Sequence, residues 1–248
     1  MWPHDGLVCV LHRWLTIAHG PPLAWPASVR TFIRDNSLSL AMFGCFVVFV
    51  VALSVVGLAE ENRGLAEHRQ PTIGYIDYIH SDSFVEAVFE NWESEFLQMA
   101  AFVALTALLR QRGAPDSKPM AGRSAVDADP RRARRRDSPW PVKTGGIWLR
   151  LYEHSLTFAL VALFLISFAL HAIGGAGRFS EELAAHGEAP VSVLAYIVSA
   201  RFWFESFQNW QSEFLSVGVL IVLGIYLRQR GSTESKPVAD PHRETGGG

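Results

Sequence analysis

Two pairs of an amide and a carboxylate recur in this sequence at a spacing that suits a helix. Asn91 lies four residues before Glu95, and Asn209 lies four residues before Glu213. Residues four apart sit one turn from each other on the same helix face. Carboxylates can exchange protons or bind cations, so these four residues form a candidate polar cluster.

The two pairs belong to a duplicated unit. The sequence N-W-E-S-E-F-L at 91–97 recurs as N-W-Q-S-E-F-L at 209–215, an offset of 118 residues. At the same offset, R-Q-R-G-x-x-x-S-K-P occurs at 110–119 and again at 228–237. Matches at one fixed offset, without a gap, indicate that a whole structural unit was duplicated.

Three interpretations of the polar cluster stay open. Acids at membrane depth are costly and mark a proton, ion or substrate site. The same side chains can instead join helices by hydrogen bonds, or remain hydrated at the membrane interface. Glu95 and Glu213 are acids in both copies, whereas Glu93 is matched by Gln211, which favours the hydrogen-bonding interpretation.

Each unit contains two apolar blocks that must position these residues. The first blocks, at about 38–58 and 156–176, supply the roughly 20 apolar residues that cross a bilayer. The second blocks are shorter, and they span only if the helix extends back through the Asn-Trp motif, to about 89–109 and 207–227. A soluble helical bundle is the alternative. We predict an all-α polytopic membrane protein with four transmembrane helices, arranged as two tandem, parallel two-helix repeats.

The chain is predicted to contain five segments. These are an amino-terminal cytoplasmic extension (1–35), a first repeat (36–112), a basic disordered linker (113–147), a second repeat (148–230) and a disordered tail (231–248). The linker and tail are rich in small, polar and charged residues, a composition that does not form a packed core.

Charge segregation predicts the topology. The linker carries the basic run R-R-A-R-R-R at 131–136, and further arginines precede the first block and follow the last. The two loops between blocks are instead acidic, with Glu60, Glu61, Glu67, Asp77, Asp82, Glu181, Glu182 and Glu188. Cytoplasmic loops are enriched in Lys and Arg, so both termini and the linker are expected in the cytoplasm.

Aromatic and basic residues flank the second blocks. Trp92 and Trp210 suit the headgroup layer as interfacial anchors. The basic residues of the two closing motifs, which could contact lipid head groups, are Arg110, Arg112, Arg228 and Arg230. The lipid bilayer is therefore the expected partner, with anionic lipids at the basic linker, and nucleic acid is not expected.

The motif F-x-N-W-x-S-E-F-L, followed by R-Q-R-G-x-x-x-S-K-P, resembles a bacterial family catalogued as a domain of unknown function. The resemblance covers about residues 31–238 and includes both copies of the motifs. It implies a protein of the bacterial inner membrane with four spans. The family brings no activity, so no functional residue is carried over from it.

No residue pattern in the sequence indicates catalysis, a metal or a cofactor. The two cysteines, Cys9 and Cys45, form no C-x-x-C spacing, and no Walker loop or H-E-x-x-H motif occurs. We expect a non-enzymatic structural or interaction component, compatible with a homo-oligomer. The alternative is a small transporter or channel that uses Glu95 and Glu213.

Overall fold

The computed structural model describes residues 27–122 and 124–246. Within these ranges the secondary structure is helical, with no strand, as the sequence predicts. The nine α-helices are α1 Ala27–Asp35, α2 Ser37–Glu67, α3 Tyr75–Ile79, α4 Asp82–Leu108, α5 Trp140–Thr144, α6 Gly146–Glu153, α7 Ser155–Ala185, α8 Val193–Ile197 and α9 Ala200–Tyr226, with a 3₁₀ turn at Ala125–Asp127. The chain divides between Gln70 and Pro71 into two units.

The helices of the two sequence repeats have matching bounds. Helices α2, α3 and α4 begin and end 118 residues before α7, α8 and α9, respectively. Helices α4 and α9 begin with the same type of cap. The hydroxyls of Ser81 and Ser199 each accept a hydrogen bond from the backbone N–H group three residues later. Side-chain capping of this kind fixes where a helix begins.

Two helices among the described residues, α2 and α7, are long and apolar enough to cross a membrane. Both extend about nine residues beyond the predicted block, to Glu67 and Ala185. Glu60, Glu61, Glu67, Glu181 and Glu182, which we expected in loops, therefore lie on the last turns of helices. These turns are rich in Ala, Leu and Glu, which favour helix even where the apolar block has ended.

In the unit that begins at Pro71, α4 packs along α7 over most of its length, and α9 packs against α4. The second helix of the first repeat thus pairs with the first helix of the second repeat. Glycines on α7 permit this approach, since a Cβ at Gly174 would lie 2.7 Å from the backbone nitrogen of Glu86 on α4. A Cβ at Gly175 would likewise meet the ring of Tyr196 on α8.

The closing motifs of the two repeats form matched turns after α4 and α9. The hydroxyl of Ser117 accepts a hydrogen bond from the Gln111 N–H at 2.8 Å, and that of Ser235 accepts one from the Gln229 N–H at 2.9 Å. The described linker residues form turns, the 3₁₀ turn and α5, and the tail bonds the linker between the Gly246 N–H and the Ala114 carbonyl. The predicted disorder of both segments stays a prediction, and residues 1–26 of the predicted extension lie outside the described residues.

Candidate polar site between three helices

A buried carboxylate and a buried imidazole join α4 to α7. His171 lies halfway along α7, and its Nδ1 atom is 2.7 Å from Oε2 of Glu93 on α4. Neither residue is exposed to solvent. The second Glu93 oxygen accepts a hydrogen bond from the indole nitrogen of Trp210 on α9, at 2.9 Å. Glu93 therefore links all three helices.

On its other side, the His171 imidazole lies next to residues of α9, which in turn contact α8. Its ring stacks on Phe202, with centroids 4.9 Å apart, and its Nε2 atom lies 3.7 Å from Oε2 of Glu205. Glu205 also accepts hydrogen bonds from the Tyr196 phenol and from Nε of Arg201, the latter at 3.0 Å. Burial, together with the bond to Glu205, raises the pKa of Tyr196. The phenol therefore stays protonated and serves as a donor at neutral pH.

From Glu205 the ion pairs continue toward the carboxyl end of α7. The Arg201 guanidinium donates two hydrogen bonds to Glu182, at 2.6 and 3.0 Å, in a bidentate arrangement. Arg178, one turn before Glu182, donates to the buried carboxylate of Glu86 on α4 at 2.6 Å. Bidentate and charge-assisted bonds of this kind fix the mutual orientation of the helices that carry them.

One residue of the predicted cluster takes part in these contacts. The side-chain amide of Asn209 donates to Oε1 of Glu90 on α4, at 2.6 Å. We refer to Glu86, Glu90, Glu93, His171, Arg178, Glu182, Tyr196, Arg201, Glu205, Asn209 and Trp210 as the acid–histidine network. Its members come from α4, α7, α8 and α9.

The structure places the other predicted residues outside this network. The Asn91 amide donates to the Ala87 carbonyl of its own helix, and Asn91 is exposed. Glu95 is exposed and Glu213 is partly exposed. Trp92 packs edge to face against two phenylalanines of α4, whereas Trp210 is the donor to Glu93. The anchoring role of both tryptophans stays a prediction.

The arginines of the closing motifs contact the chain itself. Arg228 donates to carbonyls at the end of α9 and to the Asp240 carbonyl, so it caps that helix and holds the tail. Arg110 donates to the Met120 carbonyl. Arg112 and Arg230 are exposed, and the predicted contact of these four arginines with lipid head groups stays a prediction.

The central residues of the network were not predicted from the sequence, because the candidate cluster was chosen from residues that recur in both repeats. Glu93, His171 and Glu205 stand where the other repeat has Gln211, Leu53 and Ala87, respectively. The sequence nevertheless contained an indication of these residues, because they differ between the two repeats. His171 is the one ionisable residue within the predicted span 156–176, where such a group is costly unless it has a partner.

The chemistry open to this network is proton exchange and ion pairing. Within 27–122 and 124–246, no group of three or more His, Cys, Asp or Glu side chains has the arrangement to hold a metal ion. Imidazole, carboxylate and phenol groups can each gain or lose a proton. The contact between Glu93 and Nδ1 of His171 is a hydrogen bond, whereas Nε2 of His171 lies 3.7 Å from Glu205, at ion-pair distance.

Comparison with known proteins gives one match. A family model described as a domain of unknown function, DUF6766, matches residues 29–247, a range that contains the whole acid–histidine network. No curated protein and no solved structure matches the chain. The predicted resemblance to a family of unknown function is thereby confirmed.

Proposed function

The chain belongs to the DUF6766 family of unknown function, and we propose that it is a multi-pass protein of the bacterial inner membrane. In this proposal α2, α4, α7 and α9 all span the bilayer, both termini are cytoplasmic, and the protein is a non-enzymatic structural or interaction component. The observation that carries the proposal is the buried pair of Glu93 and His171 between α4 and α7.

The acid–histidine network supports spanning by α4 and α9. Each has 27 residues, or about 40 Å of helix, against a hydrocarbon core of about 30 Å. Four glutamates make α4 less apolar than α2 and α7, at positions 86, 90, 93 and 95. Glu86 and Glu93 are buried against Arg178 and His171 rather than exposed on the outside of the helix. Paired in this way, they are compatible with a position inside a membrane protein.

The same contacts support a structural role. In a bilayer, helices associate through close packing of small residues and through polar bonds, because lipid tails are as apolar as leucine. Gly174 and Gly175 supply the close packing on α7, and the pair of Glu93 and His171 supplies the polar bond. The bilayer is the main partner, with anionic lipids at the arginine run 131–136, and self-association of the chain is compatible with this role.

Reporter fusions test the topology. A reporter fused after Asp129 should be active in the cytoplasm, and one fused after Gly187 should be active in the periplasm, since one proposed span, α7, lies between the two fusion points. Fractionation with alkaline washing should leave the full chain in the membrane pellet. A periplasmic reporter after Asp129, or release of the chain by the wash, would refute the proposal.

Paired substitutions on α4 test the structural role. Glu93→Gln removes the buried charge, while Glu95→Gln changes the same residue type two positions away on an exposed face. We expect the first variant to lose about 1.5–3 kcal/mol of unfolding free energy in detergent, because a hydrogen bond to a charged group is lost, and the second to change it by under about 0.5 kcal/mol. Equal effects of the two variants would contradict a role for the buried pair.

A second candidate is a small transporter or channel that uses Glu95 and Glu213. It is favoured by the matched positions of the two acids, each of which lies one turn after an asparagine on the second long helix of its repeat. Purified protein in liposomes should then dissipate an imposed pH gradient. The double variant Glu95→Gln with Glu213→Gln should abolish that flux, and an unchanged flux would rule out this pair as the conducting site.

A further inference from the structure

One buried nitrogen of the acid–histidine network has no hydrogen-bond partner among the described residues. Nε2 of His171 is fully buried and bonds to nothing among the described residues. The nearest acceptor is Oε2 of Glu205, 3.7 Å away, which is an ion-pair distance and too long for a hydrogen bond. Buried polar atoms without partners are rare and call for an explanation.

The charged groups around the His171 ring indicate which kind of ligand Nε2 would bind. The ionisable groups that face His171 or adjoin it in the network are Glu86, Glu90 and Glu93 of α4, Arg178 and Glu182 of α7, Tyr196 of α8, and Arg201 and Glu205 of α9. Carboxylates outnumber guanidiniums in this set, so the network carries surplus negative charge. Surplus negative charge in a buried site favours a bound positive charge.

We propose that His171 is a proton-binding site, with the hydronium ion as its ligand. On binding, the Nε2 lone pair forms an N–H bond, the O–H bond of hydronium breaks, and water leaves. The resulting imidazolium pairs with Glu93 through Nδ1 and with Glu205 through Nε2. Proton binding thereby tightens the contact of α7 with both α4 and α9. This inference goes beyond the structural role proposed above and stands without it.

Access to the site is from one end of the network. Side-chain exposure rises from 0% at His171 to 18% at Glu205, 31% at Arg201 and 45% at Glu182. In the other direction α7 offers no ionisable group between Ser155 and Leu170. Protons therefore reach His171 from the carboxyl end of α7, by way of Glu205, and the amino-terminal half of α7 closes the other side.

Nitrogen NMR of the histidine rings tests the site directly. Full-length protein labelled with ¹⁵N-histidine is titrated in lipid nanodiscs from about pH 5 to about pH 10. Signals of His171 are identified by their loss in His171→Gln, and His154→Gln provides the matched control on an exposed residue at the start of α7. We expect the His171 signals to move from the imidazolium form to the neutral form within this range. A ring that keeps one form throughout would overturn the proposal.

Substitutions of the paired acids separate proton binding from folding. In Glu93→Gln the imidazolium should form about tenfold less readily at a given pH, because one anionic partner is gone, while Glu95→Gln should leave the titration unchanged. An unchanged titration in Glu93→Gln would overturn the pairing. In liposomes, the static site should give no sustained proton flux, and a flux abolished by His171→Gln would refute access from one side only. These results do not depend on the reporter assays of topology.

Discussion

Replacing His171 by leucine tests the energetic importance of the buried network. Leucine occupies the equivalent position, Leu53, in the first repeat, so the change suits an apolar helix. It removes the partner of Oε2 of Glu93 and leaves that buried carboxylate with the Trp210 indole alone. Glu205 keeps its bonds to Tyr196 and Arg201 and is affected less.

The expected cost follows from the carboxylate left behind. Breaking a buried ion pair by removing one partner costs about 3–5 kcal/mol, because the remaining charge is desolvated and unpaired. Adding Glu93→Gln removes that charge and introduces the residue found at the equivalent position, Gln211. The side-chain oxygen of the introduced glutamine can still accept the Trp210 hydrogen bond. We therefore expect His171→Leu with Glu93→Gln to be more stable than His171→Leu alone.

The assay is a double-mutant cycle of unfolding free energy in detergent micelles. The two single variants and the double variant should show a coupling energy of at least about 1 kcal/mol. His154→Leu, at an exposed position just before α7, is the matched control and should change the stability by under about 0.5 kcal/mol. Additive effects of the two substitutions, within about 0.5 kcal/mol, would refute the pairing.

Three further predictions follow from other contacts. Gly174→Val should lower the free energy of unfolding by about 1–3 kcal/mol, because its Cβ would meet the α4 backbone. Gly218→Val is the control, measured in the same way, and should leave tertiary packing unchanged because there is open space at that position. Because the pKa of Tyr196 is raised in the folded protein, its contribution to stability is complete below about pH 10 and is lost as the pH rises further. Tyr196→Phe should therefore show a shallower loss of thermal stability above that pH than the unmodified chain, and parallel curves would contradict this. Lys236 is buried and donates to three carbonyls of the tail, so Lys236→Ala should make residues 236–246 sensitive to limited proteolysis, while the exposed Lys143→Ala should not.

The fold was largely predictable from the sequence. Apolar block length identified α2 and α7, and the offset of 118 residues identified matching elements in the two repeats. The helix ends were less predictable, because Ala, Leu and Glu continue the helix after the apolar block. Pairing of α4 with α7 across the repeat boundary was not predictable, since periodicity marks the buried face of a helix but not its neighbour.

The candidate site was predictable only in part. Asn209 was identified and takes part in the network, whereas Asn91 bonds its own helix and Glu95 is exposed. The reason is physical. Residues that match in the two repeats indicate what both copies need for folding. The pair of Glu93 and His171 is not of this kind, because the equivalent positions in the other repeat hold Gln211 and Leu53, which cannot form an ion pair.

Disulfide cross-linking in native membranes tests the packing of α4 on α7 most directly. The Cβ of Asp82 lies 2.8 Å from the place that a Cβ on Gly177 would take. A disulfide between cysteines requires about 3.8 Å between Cβ atoms, so helix movement of about 1 Å accommodates it. The experiment uses Asp82→Cys with Gly177→Cys in a chain whose Cys9 and Cys45 are replaced by serine.

A protease site inserted after Asp129 then reports whether the two halves are linked. We predict that after mild oxidation and cleavage the halves of the double-cysteine chain stay together until a reductant is added. The control, Asp82→Cys with Gly218→Cys, should separate without reduction, since Gly218 has no neighbour within 4 Å. Halves that separate without reductant in the Gly177 variant would contradict the packing of α4 against α7, and with it the buried pair of Glu93 and His171.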